Sequence, residues 1–302
     1  MNISGTFKRS WQLFRGALQV MMENKKLLLF PALSTVFSIG VVLFFLIPVV
    51  THSGPGGARF IYFDNTPQHQ WHLTQAGYVC AAAFYLVMMF LTTFCNVAFY
   101  SQIMNALSGR GASLSAGFSF AVSRLRQIIV WSLFAGVIGL IISTLEQRFG
   151  WVGRIVLRVI GMVWSVASCF AIPVIIHDES CNPIYILKSS AQTIKKTWGE
   201  LLVGFVGIQL GIVMLLLILP IVIGIPLCMS FYQTNLSPTV FFTIIFTGLG
   251  IWITLMFIVS YFTHVANDIY RCALFLYATQ GVTSSAFSTE LLNSAWKTKK
   301  KK

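Results

Sequence analysis

The side chains best placed to do chemistry lie mid-chain, between Glu146 and Arg158. Arg154 and Arg158 stand one helical turn apart and Trp151 three residues before Arg154, so a helix sets all three on one face, with Glu146 preceding them across Gly150 and Gly153. An arginine at bilayer centre costs about 2.5 to 3.5 kcal/mol, so neither arginine is expected to face lipid at mid-depth. Three arrangements satisfy the stretch: a short hairpin whose arginines snorkel to headgroups, an intramembrane pair of Glu146 with Arg154 or Arg158, or an anion or substrate site. Gly153 and Gly161 would also leave room for a neighbouring helix.

Other candidates are scattered. Asn96 and Gln209 are amides within apolar runs and must find partners in a bundle, or else line a path. Gly207 and Gly211 form a small-x-x-x-small motif, which admits close helix packing. His69 and His72, with Asp64 nearby, could share a helical turn and hold a metal, but no third ligand stands with them and solvated loop residues are the better reading. His177, Asp178 and Glu179 are consecutive, so on a helix they point about 100° apart and read as a helix terminus. There is no H-E-x-x-H, no pair of aspartates in apolar runs and no histidine in mid-span, so intramembrane proteolysis of every type lacks parts. No catalysis and no cofactor are expected.

These residues sit in a chain that is 56% hydrophobic and 10% charged, against about a quarter charged in soluble domains. That balance places it in the membrane class. Its 21 Lys and Arg against 8 Asp and Glu would suggest nucleic acid in a soluble protein; here the bases fall between apolar runs, where they set topology and meet anionic lipid. Nucleic acid is therefore not an expected partner. Cys80, Cys95, Cys169, Cys181, Cys228 and Cys272 stand far apart and read as small buried hydrophobes.

The elements that must position the candidates are six apolar spans, at about 27–50, 77–100, 128–145, 153–176, 201–228 and 240–262. As a helix, Leu27 to Val50 reaches roughly 35 Å, enough to cross about 30 Å of hydrocarbon. It lacks a cleavage pattern and reads as an uncleaved first span. Pro220 and Pro226 permit a kink in the fifth span. Amphipathic stretches at Phe7 to Met22, Phe118 to Gln127 and Ile184 to Trp198 each precede a two-span hairpin, and a final interfacial helix and basic tail occupy 263–302. The expected architecture is an all-α membrane protein, a single integral membrane domain over 1–302 with six transmembrane helices as three hairpins. Each hairpin is preceded by a cytoplasmic interfacial helix, the first with its edge over 1–26. Of the 21 basic residues, all but Arg59, Arg148, Arg154 and Arg158 fall on one side, which puts both termini in the cytoplasm.

Phe7, Arg9, Ser10 and Trp11, the Leu28-Leu29-Phe30-Pro31 entry, Glu146 through Gly153, Arg154 and Ile155, Pro183 to Ser189 and Thr197 to Glu200 together resemble an uncharacterised prokaryotic family of integral membrane proteins. More distantly, the layout is similar to the membrane domain attached to some glycerophosphodiester phosphodiesterases, without their catalytic barrel. The resemblance implies a bacterial inner membrane and no assigned activity. Two functions remain open: a membrane-organising protein bound to the bilayer, to anionic headgroups on the cytoplasmic side and to partners or further copies of itself, or a transporter or channel for a small or anionic solute.

Overall fold

The computed structural model describes residues 3–51, 60–63, 71–195 and 237–281, with a few further positions between 218 and 229. Most of the fifth expected span, with Gln209, Gly207 and Gly211, lies outside the described residues, as do His69 and the basic tail. Two compact units form, Asn24–Lys196 and a second made of Met1–Glu23 with Thr197–Lys302.

In the first unit a short 3-10 turn, Lys25–Leu28, leads into α2, Leu29–Thr51 (α1, Ile3–Glu23, belongs to the second unit). Pro31 lies in the opening turn of α2, where its missing N–H costs least. Strands β1, Ile61–Phe63, and β2, Trp71–Leu73, pair antiparallel with Tyr62 opposite His72. His72 therefore sits on a strand, not on a helical turn. Then follow α3, Gln75–Leu107, α4, Leu114–Ser123, α5, Leu125–Arg148, α6, Trp151–Ala167, α7, Ala171–His177, and α8, described over 183–195. The membrane part is helical, and five described segments are long and apolar enough to cross a bilayer: Lys25–Thr51, Gln75–Leu107, Leu125–Glu146, Gly153–His177 and Phe242–Gln280.

Several expected boundaries move, each for a local reason. The span expected at 77–100 is one helix of 33 residues, roughly 50 Å at about 1.5 Å per residue, because its apolar and small residues run on to Leu107. The amphipathic stretch expected at Phe118 to Gln127 instead begins at Leu114 and ends at Ser123, where Arg124 turns the chain into α5. The fourth span, expected unbroken over 153–176, divides at 168–170. Pro173 is the cause, since it lacks the N–H that would continue the ladder to Cys169 and its ring crowds that carbonyl.

Burial is concentrated at one end of this unit. Leu27 of the 3-10 turn and Phe30 at the start of α2, most of Cys95–Leu107 at the end of α3, Ile128 and Trp131 at the start of α5, much of Phe170–Ile175, and Ile186, Ser190, Thr193 and Ile194 on α8 supply it. We refer to this as the near end. Helix α3 lies against α2, α4, α5 and α7, while α6 lies against α5. Phe30 is the keystone: its ring stacks on Phe99 at 5.7 Å and meets Phe118 at 5.8 Å. Gly117 of α4 opens the space, because a Cβ there would come within 2.7 Å of the Phe30 ring. Away from the near end the helices expose Phe44, Ile47, Val137, Ile141, Val159 and Val163, the surface of lipid-facing spans.

In the second unit α9, Pro238–Gln280, is a single helix of 43 residues, roughly 65 Å long. The break expected near residue 263 is absent, since no proline or glycine interrupts the run after Gly250 until Gly281 ends it in the left-handed region at φ 66°. Helix α1 packs along α9; Ala17, Val20 and Met21 on the one and Ala266, Ile269 and Ala273 on the other are buried.

Candidate functional site

Helices α5 and α6 pack side by side, joined only through Phe149 and Gly150, so the central stretch is the tip of a hairpin at the end remote from the buried core. There the Arg158 Nε–H donates to Glu146 Oε1 at 2.9 Å, which selects Arg158 as the partner of Glu146. Arg154 is exposed and, among the described residues, has no acidic partner. Trp151 is 73% exposed, one turn before it. Gly153 is approached by the Phe149 side chain, and Gly161 faces Ile142 of the neighbouring α5 at ordinary contact distance. The Glu146 and Arg158 side chains are 31% and 71% exposed. Both can snorkel, so Glu146→Gln is expected to shift unfolding in detergent by no more than about 1 kcal/mol. A much larger loss would place the pair in hydrocarbon.

The near end carries a second polar set. The Arg124 guanidinium lies 3.5 Å from Glu179 Oε1 and over the Phe120 ring at 5.6 Å, and Gln127 Nε2 donates to the Glu179 carbonyl at 3.2 Å. The turn after α7 is thus tied to the joint between α4 and α5. His177 Nδ1 meets Asp178 Oδ1 at 2.9 Å, and the Tyr185 hydroxyl donates to Asp178 Oδ2 at 3.1 Å. That hydrogen bond, together with the negative charge of Asp178, holds the Tyr185 phenol above its usual range. His177 and Asp178 pair while Glu179 turns to Arg124, so the three do not converge on one point and the terminus reading stands. Asn182 caps α8, its Oδ1 accepting from the Ile184 N–H at 3.0 Å.

Asn96 does not meet the tip residues. It is half-buried about two thirds of the way along α3, beside the near-end core. Gln102, one turn and a half further on, is buried and its Oε1 accepts from the Ser113 N–H at 3.0 Å, so this amide is structural. In mid-span the Tyr85 hydroxyl donates to the Gly136 carbonyl at 3.1 Å, joining α3 to α5.

Two features escape a reading of the residues alone. Asp268 on α9 is 4% exposed, with His264 Nδ1 at 3.0 Å from Oδ2 and Arg271 Nη1 at 3.7 Å from Oδ1. The i, i+4 and i, i+3 spacing on a long apolar helix was the available signal. The break between α6 and α7 is the other. It frees the Phe170 N–H, which donates to Ser190 Oγ of α8 at 3.0 Å in full burial. Nothing in the residue order announces that pairing.

Among the described residues no three His, Cys, Asp or Glu side chains gather to hold a metal. What the arrangement offers is exposed positive charge at the hairpin tip and polar ties between helices at the near end. Fold and site together define a multi-pass helical membrane protein of unknown activity. The chain belongs to DUF6159, a family of unknown function, whose profile matches residues 75–285. No curated protein matches the chain, and no solved structure does.

Proposed function

We propose that this is a non-catalytic integral membrane protein of the bacterial inner membrane that organises lipid or partner proteins. In this reading it has six spans as three hairpins in one domain, with both termini in the cytoplasm. The observation that supports it is the one-ended core. Interior packing holds the near ends of the spans, its buried amides are occupied by protein groups such as Ser113 and Glu179, and the remaining lengths present apolar side chains outward. Such a body spreads apolar surface into the bilayer while exposed Lys25, Lys26, Arg110, Arg126, Lys188 and Lys195 meet anionic headgroups on the cytoplasmic side. Homo-oligomers are one way to cover that surface.

The test is thiol labelling in intact cells with a membrane-impermeant reagent, on Asn96→Cys and Gln209→Cys in a Cys-depleted background. Both sites are expected to stay unlabelled, with labelling only at Arg154→Cys. Labelling of Gln209→Cys would sink this reading and favour a transporter or channel for a small or anionic solute. One observation speaks for that second reading: the break at 168–170 resembles the discontinuous helices that transporters use.

A further inference from the structure

The tip of the α5–α6 hairpin carries four charges within two adjoining helix ends, Glu146, Arg148, Arg154 and Arg158. Glu146 is spent on Arg158, so two cations remain without an acid among the described residues. Along α6 the spacing 151, 154, 158, 162 is that of one helix face, and its order is amphiphilic: Trp151, then Arg154 and Arg158, then Met162, with Ile155 and Val159 beside them, all exposed. An aromatic ring above, a guanidinium fork below it and bare hydrocarbon beneath match, group for group, the headgroup, phosphate and acyl chain of a phospholipid. A soluble anion would need only the upper half of this face.

We propose that this face of α6 seats one phospholipid of the surrounding leaflet, with Arg154 as the bidentate partner of its phosphate and Trp151 at the level of its headgroup. Arg158 is turned toward the hairpin by Glu146, which aims Arg154 outward and keeps the two guanidinium groups from competing for one phosphate. Ile155, Val159 and Met162 lie along the first acyl chain. The leaflet is the one that the tip reaches, opposite the near end, so the seat is independent of the headgroup contacts of the interfacial helices. It also holds whether the protein organises the membrane or transports a solute.

The test uses the full-length chain, purified in mild detergent, delipidated and titrated with phosphatidylglycerol, with retained lipid counted by native mass spectrometry. Arg154→Gln is expected to weaken the tightest retained lipid about tenfold, as loss of a charge-assisted phosphate contact would. Arg154→Lys should recover part of the loss, and Arg148→Gln should leave it unchanged. Because the side chain is exposed, none of these changes threatens the fold. In cells, p-benzoylphenylalanine at Ile155 should form adducts of phospholipid mass. Retention unchanged by Arg154→Gln would overturn the proposal, and so would displacement of the lipid by millimolar inorganic phosphate, which marks a free-anion site. Adducts to protein in place of lipid would overturn it too, by making the face a protein interface.

Discussion

Phe30→Ala is expected to destabilise the protein by about 3 to 5 kcal/mol, the cost of removing a buried aromatic whose surroundings cannot collapse. The ring is 2% exposed and is held between Phe99 of α3 and Phe118 of α4, with Gly117 beneath it. Three helices thus lose their common contact at once. Gly117→Ala approaches the same contact from the other side, since the new methyl would also lie 2.9 Å from Gln102 Cγ. Overpacking of that kind costs about 1 to 3 kcal/mol. Thermal unfolding in detergent, followed by near-ultraviolet circular dichroism, checks both. A Phe30→Ala protein with the midpoint of the unchanged chain would mean that the near end does not hold the spans together.

Ser190→Ala is expected to cost about 1 to 3 kcal/mol, because it strands the Phe170 N–H in full burial, where no water can replace the hydroxyl. The loss should be local before it is global. Hydrogen exchange measured by mass spectrometry should speed up in peptides covering 168–175, while those covering the start of α5 keep their protection. Relieving the cause offers a separate check. Pro173→Ala restores the missing N–H, so the two halves of the broken span are expected to draw together and the Ser190 substitution to become less costly. Equal cost in both backgrounds would show that the break is set by the packing of α7 against α3 and not by the proline.

The membrane class, five of the six expected spans and the hairpin at Glu146–Arg158 were legible in the residues, since each depends on local quantities: length of apolar run, and glycines between two runs. The face shared by Trp151, Arg154 and Arg158 was legible for the same reason, a helical period that no partner needs to complete. Where helices end was less so. Helices α3 and α9 run on past the expected spans because nothing there breaks the backbone ladder, whereas hydropathy reports only where lipid would be favourable. The strand pair at 61–63 and 71–73 depends on a register between two three-residue segments, too short to leave a periodic signal.

What the residue order determined by itself is therefore the solvent each segment prefers and the charges at its edges, because transfer free energies add residue by residue. The choice of Arg158 over Arg154 for Glu146, the seat of Phe30 over Gly117, the burial of Asp268 and the rescue of the Phe170 amide by Ser190 were decided only by the tertiary structure. Each of them is a contact between side chains on different turns or different helices, whose energy depends on distances of a few ångströms that no single segment contains.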